Sequence, residues 1–222
     1  MSAHSYSPLP ENRELLGELL HSVSQPLTIL RCSLELSLDE AADQQQQTIT
    51  TALEQTESVI ALIELMREYL DAVQGEAEGP AIVLMPVLTS ACDDPSPCAA
   101  LRKVRIRMIG ACSAELSIKV SWMRRAMEYL LSALIERQPA GSEIILRMSE
   151  NPLGVLVRIE GERSFGIQSD SNPRHDSVGA TMRRVRLAIA ARVLEGAGVT
   201  LAFDDGAPGI VLRIPRTSRI IA

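Results

Sequence analysis

The sequence contains no run of eighteen apolar residues, which excludes a membrane-spanning helix of ordinary length. Its first ten residues have neither a basic stretch nor an apolar core, so no secretory signal is present and the chain reads as cytoplasmic, with no membrane attachment. Cysteine is scarce: Cys32, Cys92, Cys98 and Cys112 are too few and too irregularly spaced for a disulfide framework and read as reduced structural thiols. With only three histidines there is no metal site to build. The basic excess that nonspecific nucleic-acid binding requires is also missing, because the formal net charge is −6. What remains, 222 residues with 46% hydrophobic and 23% charged side chains, is a globular chain long enough for a sizeable core and for two unequal parts.

Charge divides the chain in the same way. Residues 1–79 carry 14 acidic and 3 basic side chains, a net of −11, whereas residues 80–222 carry 14 acidic and 19 basic, a net of +5. An acidic first part repels some partners and orients others.

Apolar residues in the first part follow helical spacing. Leu16, Leu20, Val23, Leu27, Leu30 and Leu34 form a heptad seam within residues 11–38. After a polar connection with Asp39, Glu40, Asp43 and the glutamines 44–47, a second series runs through Ile49, Leu53, Thr56, Ile60, Ile63, Arg67 and Leu70, flanked by Ala52, Val59, Met66 and Val73. Two helices of about 28 residues joined by a short turn make an αα-hairpin about 40 Å long. The stripes are wider than one hairpin can cover, so a homodimer completing a four-helix bundle is expected.

Two glycines and a proline in residues 74–80 break the second helix and mark a domain boundary. The expected organisation is a tail at 1–10, the hairpin at 11–75, and a second domain at 80–222. In that domain residues 81–84 and 104–109 have strand texture, with a helical stretch from Pro86 to the Asp94-Pro95 breaker between them. Residues 120–138 read as an apolar helix, 143–148 and 154–160 as hairpin strands, 166–179 as a polar loop, 182–197 as a helix, and 199–203 with 209–214 as a closing hairpin. The fold class is α+β: a helical hairpin followed by a helix-on-sheet sandwich with antiparallel strands.

His21 lies in H-S-V-S-Q-P-L-T, beside the heptad seam, so its ring faces away from the bundle. Pro26, inside the helix, leaves the Ser22 carbonyl without its helical partner and bends the chain one turn after the histidine. An exposed imidazole with a free nitrogen is a nucleophile able to attack phosphorus.

These residues resemble the phosphoacceptor hairpin of bacterial two-component histidine kinases, whose signature is close to H-E-x-x-x-P-L-T; His21, Pro26, Leu27 and Thr28 match it, and Gln25-Pro26-Leu27 matches an N-Q-P-L variant. The resemblance implies that His21 is the phosphoacceptor. The family's acidic base beside the histidine is here Ser22, which cannot act as a carboxylate at neutral pH. The second domain resembles the family's ATP-binding (Bergerat-type) sandwich. Residues 129–141, Y-L-L-S-A-L-I-E-R-Q-P-A-G, align with N-L-L-x-N-A-I-K-Y-T-P-x-G, which puts Ala133 where the magnesium-binding asparagine belongs and Glu136 where a basic residue is usual. The D-x-G-x-G-I box, whose aspartate reads adenine, corresponds to residues 162–167, with Glu162 at its head and only Gly166 and Ile167 kept. The phosphate-approaching G-L-G-L-A-I-A-R-R-I-V-E aligns with residues 184–195, where Arg184 and Arg186 replace both glycines.

The resemblance therefore implies a kinase scaffold with a degenerate nucleotide site, similar to histidine phosphotransferases: no cofactor, weak or absent binding of ATP and magnesium, and no resident metal. By that resemblance His21 would pass phosphoryl groups between response-regulator receiver domains, and the second domain would serve as a docking surface. Three other readings stand beside it. An ATP-dependent kinase with an atypical pocket would need a replacement ligand, for which Glu128 and Glu136 are the candidates; a non-catalytic regulator would only bind receivers; and a phosphatase would use Gln25 to orient water.

Overall fold

The computed structural model describes residues 12–37, 42–93, 97–163, 178–204 and 209–215. Two helices, α1 (Asn12–Ser37) and α2 (Ala42–Val73), open the chain. There follow β1 (Ala81–Val83), α3 (Leu84–Asp93), α4 (Pro97–Arg102), β2 (Arg105–Ile109), β3 (Glu115–Ser117), α5 (Val120–Ile135), β4 (Glu143–Asn151), β5 (Gly154–Glu160), α6 (Val178–Gly196), β6 (Thr200–Asp204) and β7 (Gly209–Pro215). The class is α+β, as the hydrophobic periods indicate.

Two compact units divide these elements. One holds α1, α2 up to Leu70, and α6 up to Val185; the other holds the remaining described residues. In the first unit Leu15 and Leu19 of α1 and Val59, Leu62 and Leu65 of α2 are buried. This corrects the heptad seam. Leu20, Leu27 and Leu34 stay exposed, as do Ile49, Leu53, Ile60, Ile63 and Leu70, so the chain's own packing uses the neighbouring stripe and leaves the seam open. The glutamine run 44–47 is a second correction. It lies inside α2, because glutamine and alanine are good helix formers and need no apolar partner to continue a helix.

The second unit is built on a five-stranded sheet of order β2-β4-β5-β7-β6, with β1 and β3 forming a separate two-stranded antiparallel ribbon. β5 alternates as G-V-L-V-R-I-E, burying Val155, Val157 and Ile159 on one face, and β4 contributes Ile144, Leu146 and Met148 to that face. Met123, Ala126, Met127, Leu130, Ala133 and Leu134 of α5 are buried at helical spacing. The sheet is not wholly antiparallel: β2 pairs with β4 in parallel, which the intervening α5 permits because a parallel pair needs a long crossover. Helix α3 starts at Leu84, two residues before the proline expected to open it, because proline is readily accepted in a first turn. The short α4 and β3 were not anticipated. The Asp94-Pro95 breaker, the turn at 39–41 and the turn after Asp204 lie outside the described residues, as does the loop expected at 166–179 up to residue 177; Val178 and Gly179 already belong to α6, which starts before the expected 182.

Gly110 follows β2 with φ +91, and a Cβ there would stand 2.6 Å from the Met148 carbonyl oxygen. Gly110→Ala combines a left-handed backbone with a backbone clash, so it is expected to cost about 1–3 kcal/mol, read as a lower urea midpoint with an unchanged slope.

The remaining free thiols differ in setting. Cys32 is exposed, whereas burial, with a smaller contribution from Asp93, pushes the Cys92 thiol up to about 11. Burial also raises Cys112.

Candidate functional site

Helix α1 carries His21 to solvent because successive residues step about 100° around the axis and the buried stripe runs through Leu15, Leu19, Ser22 and Pro26. Gln25, one turn later, is exposed on the same side as His21. Ser22 points the other way. It is 6% exposed, and its Oγ donates to Thr181 Oγ1 at 3.0 Å, so it shares no surface with the histidine. Pro26 is buried inside an uninterrupted helix. Around the proline the hydroxyls bond the helix's own carbonyls: Ser24 Oγ donates to Leu20 O at 2.8 Å, and Thr28 Oγ1 donates to Ser24 O at 2.8 Å.

Glu18, one turn before His21, was not singled out by the sequence. It is half-buried and accepts from Arg184 Nη1 at 3.3 Å, within the same unit, and its second carboxylate oxygen is buried without a hydrogen-bond partner among the described residues. Arg184 thus meets a carboxylate of the hairpin.

In the sheet unit, Ala133 is buried on α5 and presents no oxygen. Tyr129, one turn earlier, lies under two guanidinium groups: Arg125 at 5.8 Å and Arg186 at 5.9 Å from the ring centroid. Glu128 is ion-paired with Arg125 at 3.4 Å, and Glu136 caps the C-terminal end of α5. Glu162 is exposed. Its neighbour Arg163 is held by Gln138, whose Oε1 accepts from the Arg163 amide at 3.1 Å while Nε2 donates to the Arg163 carbonyl at 3.3 Å. Gly161 makes room for this pairing, since a Cβ there would meet the Gln138 amide. Residues 164–167 of the aligned box lie outside the described residues. Gln138 escaped the sequence reading because a buried amide next to a Pro-Ala-Gly turn has no periodic signature; the one available signal was the glycine opposite it. Among the described residues no three His, Cys, Asp or Glu side chains gather as a metal-binding group.

Several solved structures share this arrangement of elements. A histidine kinase of Acinetobacter baumannii, AdeS, superposes with a TM-score of 0.62 at 14% identity, covering 89% of this chain and 98% of that one. The histidine kinase ThkA, solved in complex with the response regulator TrrA, superposes with a TM-score of 0.65 at 11% identity over 92% of this chain and 61% of its own. The chain has the fold of a histidine kinase core. No protein-family model matches the sequence, and no curated protein matches it. On that fold, α1 and α2 correspond to the helical hairpin, and the five-stranded sheet with α5 corresponds to the α/β sandwich. No described helix is long and apolar enough to cross a membrane.

Proposed function

We propose that this chain is a histidine phosphotransfer protein of a two-component phosphorelay, working as a homodimer and without ATP. The observation that carries this reading is a contrast between its two halves. His21 is open to solvent in a stretch that resembles the phosphoacceptor motif, while the positions that would face nucleotide hold a buried alanine, Ala133, and an arginine, Arg186, stacked on Tyr129. Magnesium triphosphate does not fit these residues: Ala133 offers the metal no oxygen, and Arg186 puts a long side chain where backbone has to approach phosphate.

In this reading a His21 ring nitrogen attacks the phosphorus of an aspartyl phosphate on a receiver domain. The P–O bond breaks as the P–N bond forms, and the receiver carboxylate leaves. The reverse displacement by the aspartate of a second receiver returns the imidazole. The receivers supply their own acidic pocket and metal, so this chain contributes the nucleophile and the docking surface. Solution of ThkA as a complex with a response regulator supports receivers as the partner class. Ser22 keeps α1 in place through Thr181, and Gln25, beside His21, contacts the incoming phosphoryl group.

The kinase alternative would need a metal ligand near Ala133, and Glu128 is engaged by Arg125. Calorimetric titration with magnesium ATP tests the reading: no saturable heat and no thermal shift are expected at millimolar nucleotide. Saturable binding, followed by acid-labile labelling from γ-labelled ATP that is lost in His21→Ala, would make the chain an ATP-dependent kinase.

A further inference from the structure

One face of the five-stranded sheet is packed with apolar side chains, and on the other the described side chains are exposed or half-buried, with Val211 alone among them buried. The register fixes what stands on the open face. Ile109, Arg147, Arg158, Val211 and Ala202 lie side by side across β2, β4, β5, β7 and β6. The next row toward one edge pairs Arg107 with Ile145 and Ile145 with Glu160, and beyond it Arg105 pairs with Glu143. On the other side Ser149 pairs with Leu156 and Leu156 with Arg213. β2, β4, β5 and β7 therefore place five arginines and two glutamates on one surface, across three strand spacings of about 4.8 Å each.

Three of these arginines are tied down loosely. Arg107 meets Glu143 at 3.6 Å, while Arg147 and Arg158 share Glu160 at 3.6 and 3.9 Å. Arg105 and Arg213 are exposed and form no ion pair among the described residues. Arg147 and Arg158 stand directly opposite each other on neighbouring strands, an arrangement that works against the sheet because like charges facing across a ladder repel. Glu160 offsets part of that repulsion, and an anionic partner would offset more of it.

We propose that this open sheet face docks an acidic protein surface whose carboxylates are interspersed with apolar side chains. The pattern favours protein over nucleic acid or lipid. Glu143 and Glu160 lie among the arginines and would repel a continuous run of phosphates, whereas half-buried Ile109, Ile145 and Leu156 offer apolar contact between the charges. The surface shares no residue with the hairpin or with the group around Tyr129, so it is a contact site additional to whatever engages the hairpin.

The test uses the full chain and a fluorescein-labelled acidic peptide of Glu, Asp and Leu, with a single-stranded oligonucleotide and phosphatidylglycerol vesicles as parallel probes. The peptide is expected to bind in a salt-sensitive way. Affinity should fall about tenfold or more in the triple variant Arg107→Gln, Arg147→Gln, Arg213→Gln, and should rise in the double variant Glu143→Gln, Glu160→Gln. The double variant keeps every arginine, so the proposal remains testable if the triple variant folds poorly. Absence of peptide binding, affinities that neither set changes, or tighter arginine-dependent binding of the oligonucleotide or the vesicles would overturn it.

Discussion

Replacing His21 with glutamine is expected to abolish phosphoryl transfer from a labelled receiver, leaving no acid-labile label on the chain. Glutamine retains bulk and hydrogen-bonding capacity but has no nitrogen lone pair able to attack phosphorus, so the loss is complete rather than graded. The fold should survive, because the side chain is exposed and the buried stripe of α1 passes through Leu15, Leu19, Ser22 and Pro26 instead. Ser22→Ala separates position from chemistry. It removes the bond to Thr181 and is expected to cost about 1 kcal/mol of stability, while transfer stays within a few fold of the original rate. A Ser22→Ala variant as inert as His21→Gln, yet equally stable, would show that the serine takes part in the chemistry.

The second large effect concerns assembly. Leu53 is 60% exposed and Ile60 51% exposed on α2, with Leu20, Leu27 and Leu34 open on α1. An apolar stripe of this length on a single chain is what a dimeric bundle covers. Leu53→Glu with Ile60→Glu removes four apolar side chains from a two-fold interface. At about 1.5 kcal/mol each this amounts to about 6 kcal/mol, or roughly four orders of magnitude in dimer Kd. Analytical ultracentrifugation should show the original chain as a dimer and the variant as a monomer with unchanged helix content. A monomeric original chain would contradict the bundle.

Much of this fold can be read in the residues. The alternation of β4 and β5 and the apolar spacing of α5 each follow from burial on one face, and burial is what the period of a sequence records. Pairing between distant strands is not recorded in that way, so the pattern gives antiparallel strands and leaves the parallel β2–β4 contact unmarked. Helix propensity without an apolar stripe also leaves little trace, which is why the glutamine run reads as a connection although it forms the first turns of α2. The seam itself was legible, but its partner was not: the residues that stand out in the pattern are those left exposed, while Leu15, Leu19 and Leu62 carry the chain's own packing.

Around the histidine, the sequence places His21, Gln25 and Pro26 on one helix, and the structure brings His21 and Gln25 to one surface while turning Ser22 and Pro26 inward. Contacts made through space were invisible beforehand. Nothing in the spacing joins Glu18 to Arg184, Gln138 to Arg163, or Arg186 to Tyr129, because each pair is brought together by tertiary packing between separate elements. The arginines at 184 and 186 read as missing glycines; in the structure Arg184 has a carboxylate and Arg186 an aromatic ring to rest against.

The most direct measurement offers the same chain two phosphoryl donors in parallel, magnesium ATP labelled at the γ position and a receiver domain carrying labelled aspartyl phosphate. Acid-labile label should appear on the chain from the receiver alone, and should be absent from both reactions in His21→Gln. Label arriving from ATP in the absence of any receiver or other kinase, and lost with His21, would contradict the account.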